Sequence, residues 1–358
     1  MTLFFSKKDI LSLFLLFIVV FIAVLGSRSY RLYNPDAIQA EIPTSLYLNE
    51  RSDLVMLADR LDNLGIEYNR DELIWAGRVL GWRFFRPGLY QLDGSASYKD
   101  FLSKMARGIQ DAASVTILSG IDRDRLALQL SSQLRADSAS FRKVFTDSSD
   151  LALELNLTGE ELFSRMLPDT YQIYWTSSPE NAVRRIYNEF ERSIKQRFQT
   201  EIRESGYDVG EIVTLASIVE WEARVSDEKP KIAGLYLNRL NQRMLLQADP
   251  TVIYAIGERR RLLFEDYRFE HPYNTYLTRG LPPGPITNPD IASIRAVLYP
   301  ENHDYLFMVA TPDGSHRFSR TFDEHRQASA EWRRWIQEQY RIRDLREREE
   351  AANQSDSD

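Results

Sequence analysis

The run DVGEIVTLASIVEWEAR, from Asp208 to Arg224, sets carboxylates into a pattern that is otherwise hydrocarbon. At about 100° per residue, Val209, Ile212, Val213, Ala216 and Ala223 share one arc of a helix, and Glu220 falls inside that arc. Glu211 and Glu222 project to the far side, where an ionised carboxylate costs little. A carboxyl group against an apolar wall loses the hydration of its charged form, so its pKa rises and it can hold and deliver a proton near neutral pH. That is the profile of a general acid. A buried glutamate neutralised by an arginine, or capping a neighbouring helix, carries the same pattern, and on these residues alone both readings stand.

Other chemistries are thin. The four histidines, His271, His303, His316 and His325, never take the spacing of a helical metal pair such as H-E-x-x-H. Neither a G-x-S-x-G elbow nor a P-loop or dinucleotide glycine fingerprint occurs. Zero cysteines exclude disulfides, thiolate-bound zinc, iron–sulfur clusters and a thiol nucleophile. A net charge of -7, with no Lys/Arg run interleaved with aromatics, argues against a nucleic-acid partner. Acid–base work by a carboxylate, with no cofactor or metal, is what remains. Glu220 leads, with Asp249 and the Tyr273-Asn274-Thr275-Tyr276 segment as neighbours. Asp249, just before Pro250, also reads as a helix cap.

The elements that must position these groups follow from periodicity and breakers. Asp208 is the expected N-cap of the central helix, and Leu215 and Ile218 lie off its stripe, so that helix is covered on more than one side. Lys229 to Arg243 forms a second amphipathic helix, and Thr251 to Ile256 a short one ended by Gly257. The prolines of Gly280 to Ile286 stiffen a loop before Asn288-Pro289 opens another helix. Tyr305–Ala310 and His316–Phe322, parted by Pro312-Asp313-Gly314, form a hairpin. Upstream, Leu46 to Leu80 is helical, Arg83 to Leu92 turns into a strand, Tyr98 to Arg107 is a helix stopped by Gly108, Val115 to Leu118 is a strand and Ile121 to Leu134 a helix. Residues 137 to 165 are mostly helical, and Pro179 to Tyr207 returns to a helix. Ile10 to Gly26 is an uncharged apolar run near the ~20 residues a bilayer core requires. It reads as an uncleaved single-pass anchor with the body outside.

These motifs, in order, resemble those of the MltG-type endolytic murein transglycosylases, the YceG-like family. LASIVEWEA at Leu215 to Ala223 looks like the catalytic-helix motif. LYLNRL, LLQADPTVIYAIG, YNTYLTRGLPPGPITNP and HRFSRTFDEH follow it, LPDTYQIYWTSS precedes it, and RPGLYQL with its helix resembles a LysM-like module. Two departures stand out: Ser119-Gly120 where the family has Glu-Gly, and Trp221 in place of a polar residue.

The resemblance implies an α+β chain with a transmembrane anchor at 10–26 behind a cytoplasmic segment 1–9. A linker at 27–45, a small LysM-like α/β module at 46–135, a mainly helical catalytic domain at 136–330 ending in the β-hairpin, and a charged helix and disordered tail at 331–358 complete it. It implies a bacterial inner-membrane location facing the periplasm. The activity implied is cleavage of the MurNAc-β-1,4-GlcNAc bond within peptidoglycan strands to leave 1,6-anhydro ends, beside penicillin-binding proteins. Glu220 is then the acid, and Gln247, Asp249, Tyr273, Asn274, Tyr276 and Tyr171 contact sugar. A membrane-tethered scaffold that binds peptidoglycan without cutting it is the competing expectation.

Overall fold

The apolar run lies within one helix, α1 (Lys7–Tyr33), longer at both ends than the hydrophobic stretch itself. Its 27 residues span about 40 Å, more than the ~30 Å hydrocarbon core of a bilayer. By length and composition it suffices to cross a membrane, with a mean hydropathy of 3.0 and none of that window buried. The computed structural model describes residues 7–355, with side chains to 347, and divides into two units. Residues 1–6 of the expected cytoplasmic segment and 356–358 of the expected tail lie outside the described residues.

The first unit comprises 7–115, 133–136 and 172–177. Arg31 in the last turn of α1 bonds Glu72 at 2.9 Å and lies over the Trp75 ring, so the expected linker at 27–45 begins as helix. The strand β1 (Ile38–Leu48) then alternates inward Ile38, Ala40, Leu46 and Leu48 with exposed residues, which corrects the helical reading of Leu46 to Leu48. Two residues, β2 (Ser52–Asp53), lead into α2 (Leu54–Asn63), where Asp53 accepts the amides of Val55 and Met56. After β3 (Glu67–Tyr68) comes α3 (Arg70–Leu80), packed so closely on α2 that a Cβ at Gly77 would meet the Leu54 side chain at 2.3 Å. Then β4 (Phe84–Phe85) pairs with β2, and β5 (Gly88–Ala96) runs antiparallel to β1. The β1–β5 register slips between Ala40 and Thr44, where Pro43 offers no amide to the ladder. Ser97 caps α4 (Tyr98–Arg107), Gly108 ends it at φ 72°, and its Phe101, Leu102 and Met105 close the core. The strands β6 (Ala112–Thr116) and β7 (Thr170–Tyr174) pair.

The second unit comprises Thr116–Ser132, Asp137–Tyr171 and 178–355. Short helices α5 (Arg123–Gln133), α6 (Ser138–Val144), α7 (Asp150–Leu155) and α8 (Gly159–Ser164) lead through α9 (Pro179–Phe190), a π-helical turn at Glu191–Gln196 and α10 (Gln199–Ser205). At the centre is α11 (Val209–Glu222), whose residues Ile212 to Val219 are all buried. It packs against α12 (Lys229–Asn241), α13 (Asp249–Ile256) and α14 (Ile291–Leu298), sharing one core with Ile232, Tyr236, Leu246 and Ile294. The hairpin of β8 (Phe307–Ala310) and β9 (His316–Ser319) pairs Phe307 with Ser319 and Ala310 with His316. From it α15 (Phe322–Ser355) runs unbroken, so the expected disordered tail is helical through Ser355.

Candidate functional site

The direction of the last turn of α11 is decided at its first. Asp208 accepts the amide of Glu211 at 2.8 Å while Glu211 accepts that of Asp208 at 2.9 Å, a reciprocal cap that sets the helix phase. Midway, Ser217 accepts the Ile286 amide at 3.0 Å. With Ile212 to Val219 enclosed, the side chains at 220 to 222 leave the core in fixed directions.

Glu220 points inward, as its place in the apolar arc requires, and its side chain is 8% exposed. One carboxylate oxygen accepts the Lys229 ammonium at 3.0 Å, the Ser293 hydroxyl at 2.6 Å and the Asp290 amide at 3.3 Å. Lys229 also bonds Asp290 at 2.8 Å. These donors satisfy the charged carboxylate and tie the end of α11 to the starts of α12 and α14. The expected proton donor, Glu220, is thus paired with a cation.

Glu222 takes the other direction, as expected, but not into open solvent. Because α11 is covered all round, its far side is not solvent; it opens on a cleft of about 430 Å³ that Glu222 lines. One Glu222 oxygen accepts the Tyr236 hydroxyl at 2.8 Å. Burial pushes the Glu222 carboxyl up to about 7; the Tyr236 bond pulls against this, the Asp249 charge adds to it and Arg239 opposes it.

Across the cleft stand Gln247, Asp249 and Tyr276. Arg239, from α12, donates to the carbonyls of Leu306 at 2.6 Å and Leu246 at 2.7 Å, clamping the loop before α13 to the residue just ahead of β8. In that loop Gln247 has φ 50°, a left-handed conformation a side chain disfavours. It is held by the Gln247 amide to the Thr275 carbonyl at 3.1 Å and the Ala248 amide to the Thr275 hydroxyl at 3.0 Å. The N-cap of α13 is Ala248, so Asp249 is not the cap. Its carboxylate instead accepts the Tyr276 hydroxyl at 2.6 Å and the Tyr267 hydroxyl at 3.4 Å. Burial and then the Asp249 charge push both phenols up, Tyr267 to about 12.

The remaining expected sugar contacts lie elsewhere. Asn274 is fully buried and braces its loop, donating to the carbonyls of Tyr267 at 3.1 Å and Phe269 at 2.8 Å and accepting the Tyr276 amide at 3.0 Å. Tyr273 packs its ring on Tyr254 with centroids 4.6 Å apart, outside the cleft. Tyr171 is 3% exposed and donates to the Leu167 carbonyl, a core residue. Sequence reasoning missed Glu222, Tyr236, Arg239, His316 and His325 in the cleft wall. The one available signal was Tyr236 and Arg239 at i, i+3 in LYLNRL, a polar pair on one face of an otherwise apolar helix. His316 bonds Glu228 at 2.9 Å, and burial foremost pushes His325 down. Among the described residues no three His, Asp or Glu converge as a metal would need.

The model of the YceG-like family matches residues 46–331. The chain belongs to the YceG-like family. Its relatives include an endolytic murein transglycosylase of Bacillus subtilis, 28% identical, the match covering 69% of this chain and 73% of that protein. Another endolytic murein transglycosylase, from Streptococcus pneumoniae, is 24% identical over 89% of this chain but 65% of its own length. A YceG-like protein of Listeria monocytogenes, solved by crystallography, is 25% identical with a TM-score of 0.57, covering 80% of this chain and 99% of that one. The YceG-like segment takes in both Glu220 and Glu222 and nearly all of the cleft.

Proposed function

We propose that the cleft cuts the MurNAc-β-1,4-GlcNAc bond within peptidoglycan strands, with Glu222 as acid and then base. The single observation that carries this is the Glu222 carboxyl, raised to about 7 while facing a 430 Å³ cleft. Protonated Glu222 donates to the glycosidic oxygen as the C1–O bond breaks and an oxocarbenium-like centre forms. The Tyr236 hydroxyl at 2.8 Å stabilises the carboxylate left behind. The muramic 6-hydroxyl then closes on C1 and its proton returns to Glu222, giving a 1,6-anhydro end without water. Asp249, its charge held by Tyr276 and Tyr267, faces the same space and favours the positive centre.

The helix α1 supports attachment to a membrane. The β1–α2–α3–β5 order of the first unit supports a LysM-like, glycan-holding role for it. Cutting within a strand rather than from its end requires a groove open at both ends.

The test is product analysis by mass spectrometry on purified glycan strands. Wild type yields anhydro-ended fragments. Glu222→Gln lowers their rate by about 10²-fold or more, the scale of general-acid catalysis. Reducing-ended fragments instead support hydrolysis, with Asp249 activating water. Equal glycan binding without cutting in either protein supports a scaffold.

A further inference from the structure

Directly beside Glu222, the Trp221 side chain leaves α11 toward a second depression, of about 570 Å³, lined by Arg224, Arg259, Arg260 and Arg261. Its one lining carboxylate, Glu220, is held by Lys229 at 3.0 Å, so the depression is strongly positive in a chain whose net charge is -7. One departure from the family pattern, Trp221, lines it, and so does Gly120, the residue after the other. The Gly120 carbonyl accepts both the Trp221 indole N–H at 3.1 Å and an Arg259 N–H at 2.8 Å. The Arg259 guanidinium lies 4.4 Å from the centre of the Trp221 ring. Stacking and one carbonyl bond thus fix a planar cation, and its remaining N–H groups can grip a carboxylate in bidentate fashion. Arg224 makes no hydrogen bond or ion pair among the described residues.

Arg260 is compensated by Glu258 and Asp266, and Arg261 donates to the Tyr340 hydroxyl at 3.0 Å. Arg259 and Arg224 are therefore the cations open to a ligand. The two depressions adjoin: Asp249 lines the first and Ile253, one turn on along α13, lines the second. Those two residues are about 6 Å apart along the helix axis, a span that one elongated ligand covers.

We propose that this depression reads the carboxylates of the short acidic peptide carried by muramic acid while the glycan lies in the Glu222 cleft. The proposal rests on the glycan-cleaving reading and adds a preference for peptide-bearing over peptide-free strands.

The test compares glycan strands with intact peptides against the same strands stripped by an amidase. Wild type has the higher kcat/KM on peptide-bearing strands. Arg224→Gln/Arg259→Gln loses about tenfold on those strands, in line with a lost charge-assisted hydrogen bond, and changes less than about twofold on stripped ones. Arg259→Lys, which keeps the charge but not the planar fork, loses part of the preference. Equal wild-type rates on both substrates, or equal losses on both in the double variant, overturn the proposal. Calorimetric binding of peptide-bearing and peptide-free muramyl oligosaccharides to Glu222→Gln separates this from the cleavage reading. Tighter, salt-sensitive binding of the peptide-bearing form that needs both arginines supports the subsite even where no cutting is found. Equal binding of the two forms overturns it.

Discussion

The carboxylates of Glu220 and Glu222 leave the last turn of one helix in different directions. The first goes to the Lys229 ammonium at 3.0 Å, the second to the Tyr236 hydroxyl at 2.8 Å beside an open cleft. On the reading proposed above, the division between a carboxylate held by a cation and a proton donor follows from those two partners.

Activity should therefore fall on the alkaline side as Glu222 loses its proton. The kcat/KM profile is expected to turn down at about 7, the value to which burial raises this carboxyl. Because the Asp249 charge contributes to that value, Asp249→Asn should move the alkaline limb to lower pH by up to about one unit. An unmoved limb would show that Asp249 does not act on Glu222.

Stability should carry the same signature. With a folded value of about 7 against 4.5 ordinarily, the folded state binds more protons than the unfolded one between those limits. The contribution is complete below pH 4.5 and lost as pH rises through 7, at a cost of about 3 kcal/mol at most. Glu222→Gln has no such loss. Its Tm relative to wild type is expected to climb from about pH 5 to about pH 8; parallel curves would count against a buried Glu222.

Lys229 is 7% exposed in its side chain and sits between Glu220 and Asp290. Lys229→Met strands both carboxylates, and a loss of about 3 kcal/mol or more is expected in urea unfolding. Glu220→Gln leaves the Lys229–Asp290 pair in place and should cost less. A larger loss in Glu220→Gln would contradict the ion-pair account.

Gln247, at φ 50° in the cleft wall, is expected to combine strain with function. Gln247→Gly should hold or raise the unfolding free energy, by up to about 1 kcal/mol of relieved strain, while lowering kcat/KM on glycan. Unchanged activity would remove Gln247 from the site.

Much of the fold is legible where local chemistry decides it. Tyr98–Arg107 ends at Gly108 because glycine takes the left-handed conformation without cost, and Asp208 caps α11 because its side chain reaches an amide three residues on. The strand β1 escapes sequence reading. Gln39, Glu41, Thr44 and Ser45 are polar, Pro43 interrupts the run, and only pairing with β5, Leu48 to Gly88, and with β3, Ile38 to Tyr68, makes it a strand.

The candidate site divides the same way. Motif order alone leads to the stretch of helix that borders the cleft and to Gln247, Asp249 and Tyr276, which line it. Helix phase states which way a side chain leaves its own axis, and it placed Glu220 inward correctly. What waits there depends on Lys229 from α12 and Ser293 from α14, and on whether the opposite side meets water or a cleft. Those surroundings come from segments distant in sequence, so only packing could decide which of the two glutamates meets a cation and which faces the cleft.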